Sequence, residues 1–250
     1  MKNQYFGDVG DFGKFGLLKH MISPALRVGI NWYLTKNDSK SDGRHVEYLY
    51  KSEFQQTDPE LCSFLHHCIE NDLRNVEALS LFAPMANMTT YNAILDVSDY
   101  KALSPEGRAK RISKRAQWFQ ESLQKLESCE LIFCDPDNGI APSSVKNTQS
   151  DSVKYVLVEE IKTMLQNGHS LVIYNHRDRS TETDYLKRIE SVFNTVNTLN
   201  NLSLRIARFS RYSVRDYIFF IQATHLKSIE NGLNRLFEHD GWSRHFNYLH

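Results

Sequence analysis

The stretch Leu131-Ile132-Phe133-Cys134-Asp135-Pro136-Asp137-Asn138-Gly139-Ile140 decides how the rest of the chain is read. Four apolar residues run straight into an acid, a proline, a second acid, an amide and a glycine. A short apolar run followed by breakers is the pattern of a buried strand that ends abruptly. In α/β proteins, ligands collect at the carboxyl ends of such strands. Two carboxylates and an amide placed there cost free energy unless something binds them. The same residue types also build ordinary turns, so a plain strand-to-loop exit is the competing reading.

Downstream, a polar loop over 141–150 leads into an amphipathic helix expected over 152–166. Val153, Val156, Leu157, Ile161 and Leu165 share its apolar side, and Asn167-Gly168 ends it. Ser170-Leu171-Val172-Ile173-Tyr174 is a second buried strand, and it too ends in chemistry: Asn175, His176, Arg177, Asp178, Arg179. A histidine and two arginines at a strand terminus suit proton transfer or anion binding, and equally a loop that starts a helix. A helix is expected over 181–196 and a break at Asn200-Asn201. The alternating run 203–209 and the more apolar run 214–221 then read as an antiparallel pair, because only four residues join them. A last helix is expected over 226–238.

Upstream, Ser104-Pro105-Glu106 opens a helix reaching about residue 126. Its first half carries Arg108, Lys110, Arg111, Lys114 and Arg115, a face that either contacts phosphate or is simply solvated. Earlier strands are expected over 28–34, 46–50 and 90–97, with a polar loop containing Asp38 over 35–44. Asp58 and Pro59 cap a helix carrying Cys62, His66, His67 and Cys68. Cys62 and His66 share a face, but no second pair with metal-ligand spacing lies nearby, so structural positions explain them better than zinc.

The opening is unusual: Tyr5-Phe6-Gly7-Asp8-Val9-Gly10-Asp11-Phe12-Gly13-Lys14-Phe15-Gly16. Glycines permit close backbone approach to a ligand and aromatics offer stacking faces; aromatics docked onto a core are the alternative. The spacing is not that of a dinucleotide-binding loop. A short helix is expected over 17–22, stopped before Pro24.

The chain has 250 residues, and its 30 basic residues balance 30 acidic ones. A strongly basic nucleic-acid binder is therefore not indicated, although a local basic patch is compatible with that balance. Four scattered cysteines without a CxxC pair argue against a disulfide scaffold. No signal-peptide core and no membrane-length apolar run are visible, so a cytoplasmic protein without a membrane partner is expected, its oligomeric state open. No repeat or low-complexity linker divides the chain, so one α/β domain over 1–250 is expected, with residues 1–27 as an amino-terminal Gly/aromatic segment and helix.

Strand candidates alternating with helices imply a mainly parallel sheet, here with a carboxyl-terminal antiparallel hairpin. This layout resembles the Rossmann-like sheet of class I S-adenosylmethionine-dependent methyltransferases. Asp135-Pro136-Asp137-Asn138 looks like a divergent form of the Asp-Pro-Pro-Tyr motif of nucleic-acid amino-methyltransferases. Leu18-Lys19-His20 resembles the first helix of the 23S ribosomal RNA adenine-N6 methyltransferases. The likeness is closer to a group of uncharacterised bacterial proteins with a Tyr-Phe-Gly-Asp opening and an Asp-Pro-Asp-Asn-Gly core.

The resemblance implies methyl transfer from S-adenosylmethionine to an exocyclic amine of a nucleic acid. Asp135 and the Pro136 carbonyl would then orient the amine, within a catalytic group that also includes Asp137, Asn138 and His176. Tyr5, Lys19 and Asp38 would hold the cofactor; Phe6, Tyr174 and Arg179 would meet the substrate. Asn138 stands where the motif has an aromatic, Asp137 replaces its second proline, and no glycine follows the first strand until Gly43. Taken literally, these departures give an alternative. Asp8, Asp11, Asp135 and Asp137, with Lys14, His176 and Arg179, would form a magnesium-dependent phosphodiesterase, nuclease or nucleotide-hydrolase site. A non-catalytic binding module on the same sheet is the third reading.

Overall fold

The computed structural model describes residues 1–39, 43–101, 104–198 and 201–249. Its strands are β1 (Val28–Asn31), β2 (Thr89–Tyr91), β3 (Leu131–Cys134), β4 (Gly139–Ile140), β5 (Tyr155–Val156), β6 (Ser170–His176), β7 (Leu202–Arg211), β8 (Ser213–Gln222) and β9 (Phe246–Tyr248). Seven of them form one sheet in the order β2-β1-β3-β6-β8-β7-β9; β4 and β5 pair separately. β2, β1, β3 and β6 are parallel neighbours. β8 runs antiparallel between β6 and β7, and β9 antiparallel to β7. The fold is thus α/β, with a mostly parallel centre and an antiparallel flank.

The α-helices are α1 (Val9–Met21), α2 (Ser52–Thr57), α3 (Pro59–Glu70), α4 (Pro105–Leu126), α5 (Val158–Gln166), α6 (Glu182–Val196) and α7 (Leu226–Glu238). One core, holding Phe12, Phe15, Trp32 and Trp242, lies between the sheet and α1, α3 and α7. The other, holding Tyr33, Trp118, Ile161 and Phe220, lies under α4, α5 and α6. Among the described residues no helix is long and apolar enough to cross a membrane.

The amino-terminal segment differs from expectation. The helix begins at Val9, not Leu17, because Asp8 caps it, its side chain accepting from the Gly10 and Asp11 amides. The glycines serve packing. A Cβ on Gly16 would lie 2.1 Å from Trp242, one on Gly13 would lie 2.8 Å from Phe209, and one on Gly10 would lie 2.9 Å from the Tyr174 hydroxyl. Three glycines at helical spacing thus let α1 lie flat on bulky side chains. Phe6, Phe12 and Phe15 are fully buried.

Four other expectations change. Residues 46–50 do not form a strand; Glu47–Tyr50 is a 3-10 turn. Its buried residues, Tyr48 and Leu49, are adjacent rather than alternating, which a half-buried strand cannot satisfy. β2 is confined to three residues within the segment expected over 90–97. The helix expected over 152–166 is divided into a 3-10 turn (Ser150–Lys154), β5 and α5, since Tyr155 and Val156 pair with β4. β9, only three residues long, carries no periodic signal and was not anticipated. Asn200, placed at a chain break, and Lys40, Ser41 and Asp42 of the loop expected over 35–44 lie outside the described residues.

Candidate functional site

From β1 the chain crosses outward to β2 and then back to β3, so the strand order reverses between β1 and β3. That switch point is where an open α/β sheet binds ligands, outside the strands' carboxyl ends. Here the crevice is filled by Met1. Its ammonium donates to the Tyr33 carbonyl (3.2 Å) and the Asp135 carbonyl (3.1 Å), and pairs with Asp137 Oδ1 at 2.7 Å. The Thr35 amide donates to the Met1 carbonyl at 2.8 Å.

Beside this plug, over the ends of β3, β6 and β8, lies a cleft of ≈ 480 Å³ of empty space, its open mouth included. Three elements supply its chemistry: α1 with Asp8, Asp11 and Lys14, the exit of β3 with Asp135 to Asp137, and the β6–β8 pair with Tyr174, His176 and Arg215. His176 and Arg215 are direct partners in that pair's register. Met1, Tyr5 and Gly43 complete the lining.

At the floor, the Lys14 ammonium stands between two carboxylates, 2.7 Å from Asp11 Oδ1 and 2.6 Å from Asp135 Oδ2. It also lies 4.8 Å from the Tyr174 ring centre. Burial opposes the charge, but the two carboxylates outweigh it and hold the Lys14 pKa above its ordinary value. Burial pushes the Asp135 carboxyl up, with Lys14 and the Met1 ammonium pulling it back. For Asp137, burial is overridden by the Met1 ammonium and Lys2, and its carboxyl falls below the usual range.

At the mouth, Asp8 Oδ1 takes the two helix amides, and Asp8 Oδ2 has no hydrogen-bond partner among the described residues. Burial, reinforced by Asp11, raises the Asp8 carboxyl to about 6. The His176 ring is half-buried beside Arg215; desolvation first, then that guanidinium, lower it to about 3, so the imidazole is neutral. No hydrogen bond joins its ring nitrogens to any described residue; its neighbour is the Tyr174 ring, edge-on at 5.5 Å. Arg215 Nε donates to the Tyr174 hydroxyl at 2.7 Å and Nη1 to the Val214 carbonyl at 3.1 Å; Nη2 has no partner among the described residues. The cleft therefore presents a titrating carboxylate, a neutral imidazole and a half-used guanidinium.

Of the residues singled out from sequence, Tyr5, Asp8, Asp11, Lys14, Asp135, Pro136, Asp137, Tyr174 and His176 converge here. Lys19 does not: its ammonium is held by Asp58 at 3.1 Å and Glu60 at 2.9 Å. Phe6 is sealed in the core. Asp38 pairs with Lys2 at 2.8 Å. Arg179 is exposed and does not line the cleft, and Asn138 contributes backbone bonds to Lys154 and His176 beside it. Arg111 and Arg115 point inward. Arg111 donates to the Tyr100 and Thr148 carbonyls, and Arg115 is bonded to Glu160 at 2.6 Å. The basic face of α4 is thus smaller than its sequence suggests.

Arg215 escaped the sequence reading. The signal was present, since an arginine inside an apolar strand is costly unless its head reaches water or a partner.

Among the described residues no group of three or more His, Cys, Asp or Glu side chains is placed to hold a metal ion. The place between Asp11 and Asp135 that the magnesium reading needs is taken by the Lys14 ammonium. Searches of protein-family models, curated proteins and solved structures find no match to this chain.

Proposed function

We propose that the cleft binds a small organic anion and transfers a proton to or from it, with Asp8 as acid–base group and Arg215 as anion partner. One observation carries the reading: at the mouth of the cleft one Asp8 carboxylate oxygen and one Arg215 guanidinium nitrogen are without partners among the described residues, and burial and Asp11 raise that carboxyl to about 6. A group titrating near neutrality can both give and take a proton. Arg215 is pre-aimed by the Tyr174 hydroxyl, so little ordering is left for the ligand to supply. Neutral His176 offers one N–H and one lone pair without competing for charge. The Lys14 ammonium stays charged throughout and supplies a fixed field beside the proton in flight.

Sulfate is the probe of choice, since its charge is constant between pH 5 and 7.5. Its affinity by calorimetry should fall as pH rises through about 6, when Asp8 becomes an anion. Asp8→Asn should flatten that profile, and Arg215→Met should remove most of the binding. A pH-independent affinity, or wild-type affinity in Arg215→Met, overturns the reading.

Methyl transfer is the second reading, and the placement of Asp135-Pro136-Asp137-Asn138 at the carboxyl end of a central parallel strand favours it. The residues present do not fit S-adenosylmethionine as they stand. Met1 fills the crevice, no glycine turn follows β1, and the Asp135 carboxylate meets Lys14 instead of an open amine site. Calorimetry with S-adenosylmethionine separates the two readings: no heat is expected, and clear binding would restore methyl transfer.

A further inference from the structure

At the tip of the β7–β8 hairpin, Arg211 and Ser213 are paired and Tyr212 alone makes the turn, at φ +57. Glycine or asparagine is at ease in that left-handed conformation; a tyrosine is strained there. Strained side chains of this kind cluster at ligand sites. Tyr212 is also one of the large exposed apolar side chains, with 47% of its surface open.

Its neighbours tie it to the cleft. The His45 ring lies 5.6 Å away, tilted by 37°, and the Lys51 ammonium lies 4.9 Å from the ring centre. His45 follows Gly43, which lines one wall, and its carbonyl accepts from the Val9 amide, one residue after Asp8. Tyr212 precedes Arg215, which lines the opposite wall. Tyr212 and His45 do not themselves line the cleft, but their contact joins segments that do, His45 standing two residues after Gly43 and Tyr212 three before Arg215. Arg215 lies three residues beyond the Tyr212 turn, a backbone separation of at most about 10 Å.

We infer that Tyr212 and His45 form a stacking platform beside the cleft, so that the anion held by Arg215 carries a planar aromatic ring, as a nucleotide does. The inference rests on the anion reading above and adds the substrate class. A ring stacked on Tyr212 gains area at little entropic cost, because the platform is already held by Lys51 and His45. The backbone strain is then kept for the sake of the ring, since a residue better suited to the turn would have no stacking face.

Adenosine 5′-monophosphate and ribose 5-phosphate, which share the phosphate and differ in the ring, are titrated by calorimetry into wild type, Tyr212→Asn and Arg215→Met. Wild type should favour the ring-bearing phosphate at least tenfold. Tyr212→Asn should lose that preference, keep its affinity for ribose 5-phosphate, and melt no lower than wild type. Arg215→Met should weaken both ligands. Equal wild-type affinities, or a preference that survives Tyr212→Asn, overturn the stacking platform and leave the anion site standing. Failure of both phosphates to bind wild type overturns both.

Discussion

Each face of the sheet buries an ion pair, and the two pairs are built differently. Under α4 and α5, Arg115 Nε and Nη2 fork onto both Glu160 oxygens, at 2.6 and 2.8 Å. Nη1 and Nη2 also reach the Ser152 and Tyr155 carbonyls, while Glu160 takes the Tyr33 hydroxyl and the Leu157 amide. These groups satisfy one another, and they tie the irregular 150–157 segment to α4. Beneath α1, Lys14 is equally buried, but its cluster adjoins Asp8, His176 and Arg215, whose bonding capacity is only partly used. Buried charge alone therefore does not mark a site. What marks it is unfilled bonding capacity facing a cleft.

That comparison breaks most readily at Arg115. Arg115→Leu should leave the buried Glu160 without its cationic partner, and cost about 3–5 kcal/mol in urea denaturation. A loss below about 1 kcal/mol would mean that the cluster is not structural.

Lys14→Met should cost less, about 2 kcal/mol, because the stranded Asp135 can take up a proton beside an open cleft. The sign follows. Burial already raises the Asp135 carboxyl and Lys14 pulls it back, so without Lys14 it titrates further above its unfolded value and the deficit should grow as pH rises and shrink in acid. A pH-independent deficit equal to that of Arg115→Leu would make the two clusters alike.

Asp8→Asn sharpens the contrast with the smallest shift. The Asp8 carboxyl moves from 3.8 to about 6 in the folded chain, so its ionisation penalises folding as pH rises through that window. Asparagine keeps the helix cap and removes the penalty. The variant should gain on the order of 1 kcal/mol at pH 7.5 and nothing near pH 3.5, while losing the pH dependence of anion binding. Destabilisation at pH 7.5 would show that the Asp8 charge supports the fold.

The strands that build the sheet's centre were legible in sequence because their cause is local. Leu131 to Cys134 and Ser170 to Tyr174 are apolar runs between breakers, and the hairpin alternates over a short linker. The placement of Asp135, Asp137 and His176 at strand ends could be read for the same reason. What stayed hidden depends on distant partners. The residues of α1 look unhelical until Phe209 and Trp242 are seen to require glycines. The inward turn of Arg115 is decided by Glu160 on another helix, and that of Lys19 by Asp58 and Glu60. Nothing in the sequence links Arg215 to Asp8, because the β6–β8 register and the docking of α1 together bring them to one cleft.

The glycine face of α1 has a consequence for the order of assembly. Each glycine costs a helix roughly 1 kcal/mol relative to alanine, so three of them leave thirteen residues with little helicity of their own. The side chains that these glycines accommodate, Phe209 and Trp242, lie roughly two hundred residues further along the chain. Contacts of such long sequence separation are slow to form. The stretch bearing Asp8, Asp11 and Lys14 is therefore expected to gain its full helicity only when Phe209 and Trp242 have closed over it, so that hydrogen exchange in α1 should report the completion of the cleft.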